Sequence, residues 1–194
     1  MSRVRTLSRT FMKGHPREGQ STFFVEKFLN SMKLNYTSDG YLDMLCILNE
    51  YNIAEGKLSF EDLESFWLSL QPVSESKNHT IRGKSWFAAG DKISIRCWFG
   101  KPYHGCQIIL ADDLEIKKVW SYEVKVPKKG VEQWFLNGTM VSENNEYMQQ
   151  WFNAGLVEEI AKNDGLEVSD FLGWFKHPSV FSGQIICWDD SVKY

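Results

Sequence analysis

The chain has 194 residues, 43% of them hydrophobic, with eight Trp and thirteen Phe, which is enough apolar volume for a buried core and too much for a disordered class. Its net charge of −3 argues against a generic electrostatic binder of duplex DNA. No run of eighteen apolar residues and no charged-then-apolar leader is present, so neither a membrane span nor a secretory signal is expected.

In chain order, residues 4–11 read as a short strand rich in β-formers, and residues 14–19 as a loop set by two glycines and Pro16. Arg9, His15 and Arg17 stand in this region. The plain reading of His15 is a solvated loop histidine; the functional one is base stacking or phosphate contact beside the two arginines. Ser21 is positioned to cap a helix running to about Met32, with Phe24, Phe28, Leu29 and Met32 on one face.

From Asp39 to Leu70 the apolar spacing is helical, with Ser59 as an N-cap and Pro72 as a stop. Gly56, Leu58, Ser59 and Asp62 fall where a calcium-binding EF-hand loop has its glycine, its apolar residue and its last ligands. Tyr51 and Ile53 would then stand at the first and third ligand positions, and neither offers a carboxylate, so no calcium is expected. A helical insertion over about 36–72, covering the domain or facing a partner, is the expectation.

The run Ser76-Lys77-Asn78-His79-Thr80-Ile81-Arg82-Gly83 gathers a hydroxyl, an amine, an imidazole and a guanidinium within a few residues, and Lys84, Trp86 and the Gly90-Asp91 turn follow. Strand-like runs come next at 93–98, 107–111 and 114–119, with Tyr103 in the turn after the first. Residues 1–20 carry a charge of +4 and residues 76–106 carry +5, leaving −12 for the rest. If the two basic segments meet, they form an anion-attracting face on an acidic body, suited to a nucleotide or a short single strand.

Asn137-Gly138, between apolar runs, is the strongest hairpin signal. Ser142, with Glu143 and Glu146, is expected to open a helical stretch through Tyr147, Trp151 and Phe152 that ends at Asp164-Gly165 in a left-handed cap. A short helix over about 169–175 is halted by Pro178. A last strand at 181–188 is expected to close a barrel against the first. The four cysteines match no metal or redox spacing, so reduced thiols in a cytosolic protein are expected, with no metal and no cofactor.

Lys77, Thr80 and Arg82 ahead of Gly90-Asp91, with Arg9-Thr10-Phe11, His15-Pro16-Arg17 and Asp164-Gly165-Leu166, resemble the ASCH domain, a relative of the PUA-like β-barrels. The resemblance covers most of the chain in outline but finds no counterpart for residues 36–72. It implies one α+β domain over 1–194: a small PUA-like barrel with flanking helices, handling RNA or nucleotides. Some members of that family hydrolyse N4-acetylcytidine or cut RNA. In such hydrolases the equivalent lysine is a base, the threonine a nucleophile and a carboxylate near the later helix end a proton donor. Here that carboxylate is Asp164, one methylene shorter than the family's glutamate.

Three functions stay open at this stage. In the first, Lys77, Arg82, Lys84 and His79 hold phosphate, with Arg9, His15 and Arg17 contributing, while Trp86 or Tyr103 stacks a base. In the second, Lys77, Thr80 and Asp164 hydrolyse an acylated nucleoside. The third is a protein-interaction module acting through the helical insertion. Lys77 and Thr80 stand three apart, so they can meet only if Lys77 lies outside the regular strand, whereas Thr80 and Arg82 share a strand face.

Overall fold

The computed structural model describes residues 3–83, 86–126, 132–144, 154–175 and 180–194, and they form a mixed α+β protein with two sheets and six helices. The chain divides into two compact units, one built from Met1–Phe11, Gln20–Ser76 and Asp91–Glu115, the other from Met12–Gly19, Lys77–Gly90 and Ile116–Tyr194. Both basic segments are thereby split between the units.

The first unit holds a three-stranded sheet in which β1 (Arg3–Leu7) runs parallel to β3 (Lys92–Trp98), and β3 pairs antiparallel with β4 (Gln107–Glu115). Ile93, Ile95 and Cys97 alternate along β3 and are fully buried, as a strand with one apolar face requires. Burial pushes the Cys97 thiol up to about 12, so it stays un-ionised.

Helix α1 (Phe24–Ser31) buries Phe24, Phe28 and Leu29. Ser21 is not its N-cap: Phe23 takes that position in a left-handed conformation, with its N–H donating to the Ser21 hydroxyl at 3.3 Å. Next door, Thr22 donates to the Ser8 carbonyl and accepts from the Phe24 N–H, so its hydroxyl ties the start of the helix to the chain after β1.

Residues 39–68 form α2 (Asp39–Leu48), α3 (Glu50–Ala54) and α4 (Phe60–Leu68). Ser59 caps α4 through a reciprocal box with Asp62, so the carboxylate that fell at an EF-hand ligand position is engaged by the Ser59 main-chain N–H at 2.8 Å. Between α2 and α3 stands Asn49, fully buried. Its amide nitrogen donates to the Ile109 carbonyl at 3.1 Å and its amide oxygen accepts from the Ile109 N–H at 2.9 Å. Strand β4 lies at one edge of its sheet, and Asn49 satisfies that edge as a further strand would.

The turn between β3 and β4 is built at some cost. Gly100 adopts φ +78°, a Cβ on Gly105 would come within 2.3 Å of the Phe99 carbonyl oxygen, and Tyr103 sits at φ +65°. A bulky side chain in that left-handed region costs on the order of 1–2 kcal/mol.

The second unit holds a five-stranded antiparallel sheet in the order β2 (His79–Gly83), β8 (Val180–Cys187), β5 (Lys118–Lys125), β6 (Glu132–Leu136) and β7 (Thr139–Asn144). Asn137 and Gly138 join β6 to β7 at φ +50° and +77°, the two-residue turn whose twist suits paired strands. Ser142 and Glu143 do not open a helix. They pair with Trp134 and Gln133, and β7 runs on to Asn144; Tyr147, Trp151 and Phe152 lie outside the described residues.

Helices α5 (Ala154–Asn163) and α6 (Val168–Trp174) complete this unit; Pro178 also lies outside the described residues. The expected closure of a barrel is not formed among the described residues. Strand β8 pairs with β2 and β5, whereas β1 is taken up by β3, where Leu7 lies beside Cys97 in the buried face. Cys187, at the end of β8, is buried, and that burial pushes its thiol up to about 11.

Replacing the Asn49 amide leaves the Ile109 peptide groups without their partner. Asn49→Ala is expected to lower stability by about 2 kcal/mol, measured as a shift of the urea midpoint. An unchanged midpoint would mean that the amide contributes nothing to holding β4.

Candidate functional site

The site starts from the end of α5. The Leu166 N–H bonds to the Ala161 carbonyl and the Gly165 N–H to the Lys162 carbonyl, with Gly165 at φ +75°, a Schellman closure that only a residue at ease in the left-handed region makes without strain. Asp164 is the last residue before this turn. Its carbonyl and its carboxylate both face the start of β2, where Lys77 donates to the carbonyl at 2.7 Å and to the carboxylate at 2.6 Å. Lys77 is only 1% exposed.

The adjacent residues repeat the junction. The Asn78 N–H donates to the Asn163 carbonyl at 2.8 Å, and the two side-chain amides bond to each other at 2.9 Å. A cation at a helix C-terminus is also favoured by the aligned peptide dipoles. Lys77 thus lies outside the regular strand and directs its ammonium at Asp164.

His79, the first residue of β2, is fully buried. Its Nε2 lies 3.2 Å from the Ile160 carbonyl, an acceptor only, so the proton is on Nε2; its Nδ1 faces the Asp164 carboxylate at 3.5 Å. Burial, and then the nearby Lys77 charge, hold His79 well below its ordinary 6.5, so the ring is neutral. The Asp164 carboxyl is raised above its ordinary value by burial, a trend that Lys77 and Arg82 oppose. The Tyr194 ring meets the His79 ring edge-on at 5.9 Å.

Strand alternation sends neighbouring residues of β2 to opposite sheet faces. His79 shares its face with Tyr122 and Trp134, where Phe171 of α6 packs on both rings. The Tyr122 hydroxyl and the Trp134 indole N–H are buried there, with no hydrogen-bond partner among the described residues. Burial, then the Asp164 and Tyr194 charges, push the Tyr122 hydroxyl well above its ordinary value.

Thr80 and Arg82 take the other face. Thr80 is buried opposite Ile186, and its hydroxyl makes no hydrogen bond among the described residues. Arg82 is half-buried opposite Gln184. The Gln184 amide holds both main-chain groups of Phe87: its oxygen accepts from the Phe87 N–H at 2.8 Å and its nitrogen donates to the Phe87 carbonyl at 3.2 Å. This clamp draws the following segment over the Arg82 side of the sheet. Phe87 is buried there, while Trp86 is 80% exposed.

The remaining sequence candidates divide clearly. His15 is buried rather than solvated: its Nδ1 accepts from the Arg17 N–H at 3.0 Å and its Nε2 donates to the Asp170 carbonyl at 2.9 Å, against Gly173, where a Cβ would come within 2.8 Å of the ring. The Arg17 guanidinium meets the Asp170 carboxylate at 2.6 Å. His15 and Arg17 therefore pin their loop to α6. Arg9 and Tyr103 belong to the first unit, Arg9 donating to the Ser69 hydroxyl at 3.1 Å and lying over the Phe66 ring. Lys84 lies outside the described residues. Sequence reasoning missed Tyr122, Tyr194 and Gln184, because nothing local marks strand residues that meet the motif only through pairing in the sheet.

No helix among the described residues is long and apolar enough to cross a membrane. Among the described residues, no group of three or more His, Cys, Asp or Glu side chains is placed to hold a metal ion. Compared with protein-family models, with curated proteins and with solved structures, the chain matches none.

A neutral, buried His79 makes stability depend on pH. Its folded proton affinity is depressed, so below its ordinary 6.5 the unfolded chain binds a proton that the folded chain refuses, and stability falls as pH falls. The full slope for one proton is about 1.4 kcal/mol per pH unit. His79→Gln retains a donor for the Ile160 carbonyl and should lose this slope, whereas the Lys77, Asp164, Tyr122 and Tyr194 contributions remain in both proteins. Parallel stability curves for the two proteins between pH 7 and 5 would contradict a neutral, buried His79.

Proposed function

We propose that the protein is a cytosolic ASCH-like module of the PUA-like group that binds RNA or a modified nucleotide through the Lys77–Arg82 segment. The observation that carries the reading is the exposed Trp86, next in the chain to Phe87, whose main-chain groups the Gln184 amide clamps on the Arg82 side of the sheet. An exposed indole offers a base a stacking surface, and the Arg82 guanidinium, four residues earlier in the chain, offers a phosphate its counter-charge. Lys77 supports the site from behind by fixing the helix end to the strand. Four free cysteines accord with a reducing compartment.

One contact supports binding over hydrolysis. A threonine attacks an acyl carbon only when a base takes its proton, and the Lys77 amine is engaged by the main-chain carbonyl and one carboxylate oxygen of Asp164. One observation favours the hydrolytic reading: burial raises the Asp164 carboxyl, as a proton donor needs. In that reading Thr80 Oγ attacks the acyl carbon of N4-acetylcytidine, Lys77 takes the hydroxyl proton and Asp164 protonates the departing cytidine amine. Water then hydrolyses the acyl-threonine.

The two readings separate by mutation. For a binder, Arg82→Ala should weaken the affinity for a short oligouridylate by about tenfold or more, whereas Thr80→Ser changes it less than about twofold. For a hydrolase, Thr80→Ala and Lys77→Ala each abolish turnover of N4-acetylcytidine, the pair costs little more than either, and Asp164→Glu raises it. Unchanged affinity in Arg82→Ala would refute the binding site as drawn.

A further inference from the structure

We infer that the β3–β4 turn carries a second nucleic-acid contact, a stacking platform of Trp98 and Tyr103 flanked by the Arg96 and Lys101 cations. The inference rests on the reading that the ligand is RNA or a nucleotide, but it concerns residues of the first unit, whereas the Lys77–Arg82 segment belongs to the second. Tyr103 is 86% exposed, and its ring centroid lies 5.3 Å from that of Trp98, at an interplanar angle of 51°. An exposed ring and a half-buried one therefore share one corner of the first unit.

The backbone argues that the tyrosine is there for its side chain. A residue at φ +65° is at ease as glycine or asparagine, and a bulky ring gains nothing for the turn by standing there. Gly100 at φ +78° and Gly105, tight against the Phe99 carbonyl, let the chain reverse around it. Bonds from the Phe99 N–H to the Cys106 carbonyl at 2.9 Å and from the His104 N–H to the Lys101 carbonyl at 3.2 Å close the turn. The ring is presented by a fixed turn.

Charge selects the class of ligand. Between Lys92 and Ala111 there is no Asp or Glu, in a chain that is acidic as a whole. Arg96 shares the strand face of Trp98, and its Nε donates to the Ser94 hydroxyl at 3.0 Å, which orients the guanidinium along that face. Among the described residues neither Arg96 nor Lys101 makes an ion pair. Stacking rings beside uncompensated cations suit the bases and phosphates of a single strand. A carbohydrate would use the rings without the cations, and a proline-rich segment would leave the cations unanswered.

The test is ultraviolet crosslinking of the full chain to octauridylate, with mass spectrometric mapping of the crosslinked peptides, alongside titrations of variants. Crosslinks are expected at Trp98 or Tyr103 and should persist in Arg82→Ala. Tyr103→Ala should weaken binding at this surface by about tenfold, while Tyr103→Phe stays within about twofold, because stacking needs the ring and not the hydroxyl. Lys101→Ala should lower the salt slope by about 0.7.

Crosslinks confined to residues 77–86 would overturn this inference and leave the proposed function standing; crosslinks confined to 98–103 would do the reverse. Equal losses in Tyr103→Phe and Tyr103→Ala would overturn it as well, as would preferred binding of maltohexaose or a decaproline peptide at this turn.

Discussion

One ammonium group sets the second unit in order. Lys77 reaches the carbonyl and the carboxylate of Asp164 together, so a single side chain joins the end of α5 to the segment that leads into β2. A charge so deeply buried is tolerated only while its partner stays, and removing one member of such a pair typically costs about 3–5 kcal/mol. The pair is therefore a demanding way to fasten a helix to a strand. What it secures is register. With Lys77 fixed and Asn78 bonded to Asn163, alternation along β2 leaves His79 facing the helices, and Thr80 and Arg82 facing the other way.

Side-chain amides do comparable work elsewhere. Asn49 answers both peptide groups of Ile109, and Gln184 answers both of Phe87. In each case an amide, which carries the donor and acceptor of a peptide bond, replaces a neighbouring strand where the sheet offers none. The first closes a sheet edge against unwanted pairing; the second gives an irregular segment a fixed seat over the sheet. Neither substitutes easily, since hydroxyls and carboxylates lack the paired donor and acceptor.

Local patterns in the sequence carried much of the secondary structure. Asn137-Gly138, the Ser59 cap, Gly165 and the alternation of β3 each depend on residues within a few positions, and each forms where its pattern places it. Pairing was harder to read. Val4–Leu7 and Phe181–Cys187 both look like strands, but nothing in either names its neighbour, and β1 goes to β3 rather than to β8. Ser142 shows the same limit: a serine followed by glutamates marks a helix start in isolation, whereas pairing with Trp134 keeps it in a strand. At the site, the spacing of Lys77, Thr80 and Arg82 told which side chains share a face. It could not tell that Asp164 would occupy the lysine, nor that His15 would be buried against α6.

The two buried thiols have a use beyond packing. Cys97 sits in the sheet of the first unit and Cys187 in that of the second, both fully shielded and both too weakly acidic to form thiolate at neutral pH. An alkylating reagent can reach either only through an opening fluctuation, so the labelling rate of each sulfur reports the opening free energy of its own unit. The chain thereby carries a pair of internal gauges. They tell whether its halves come apart as one cooperative body or as two.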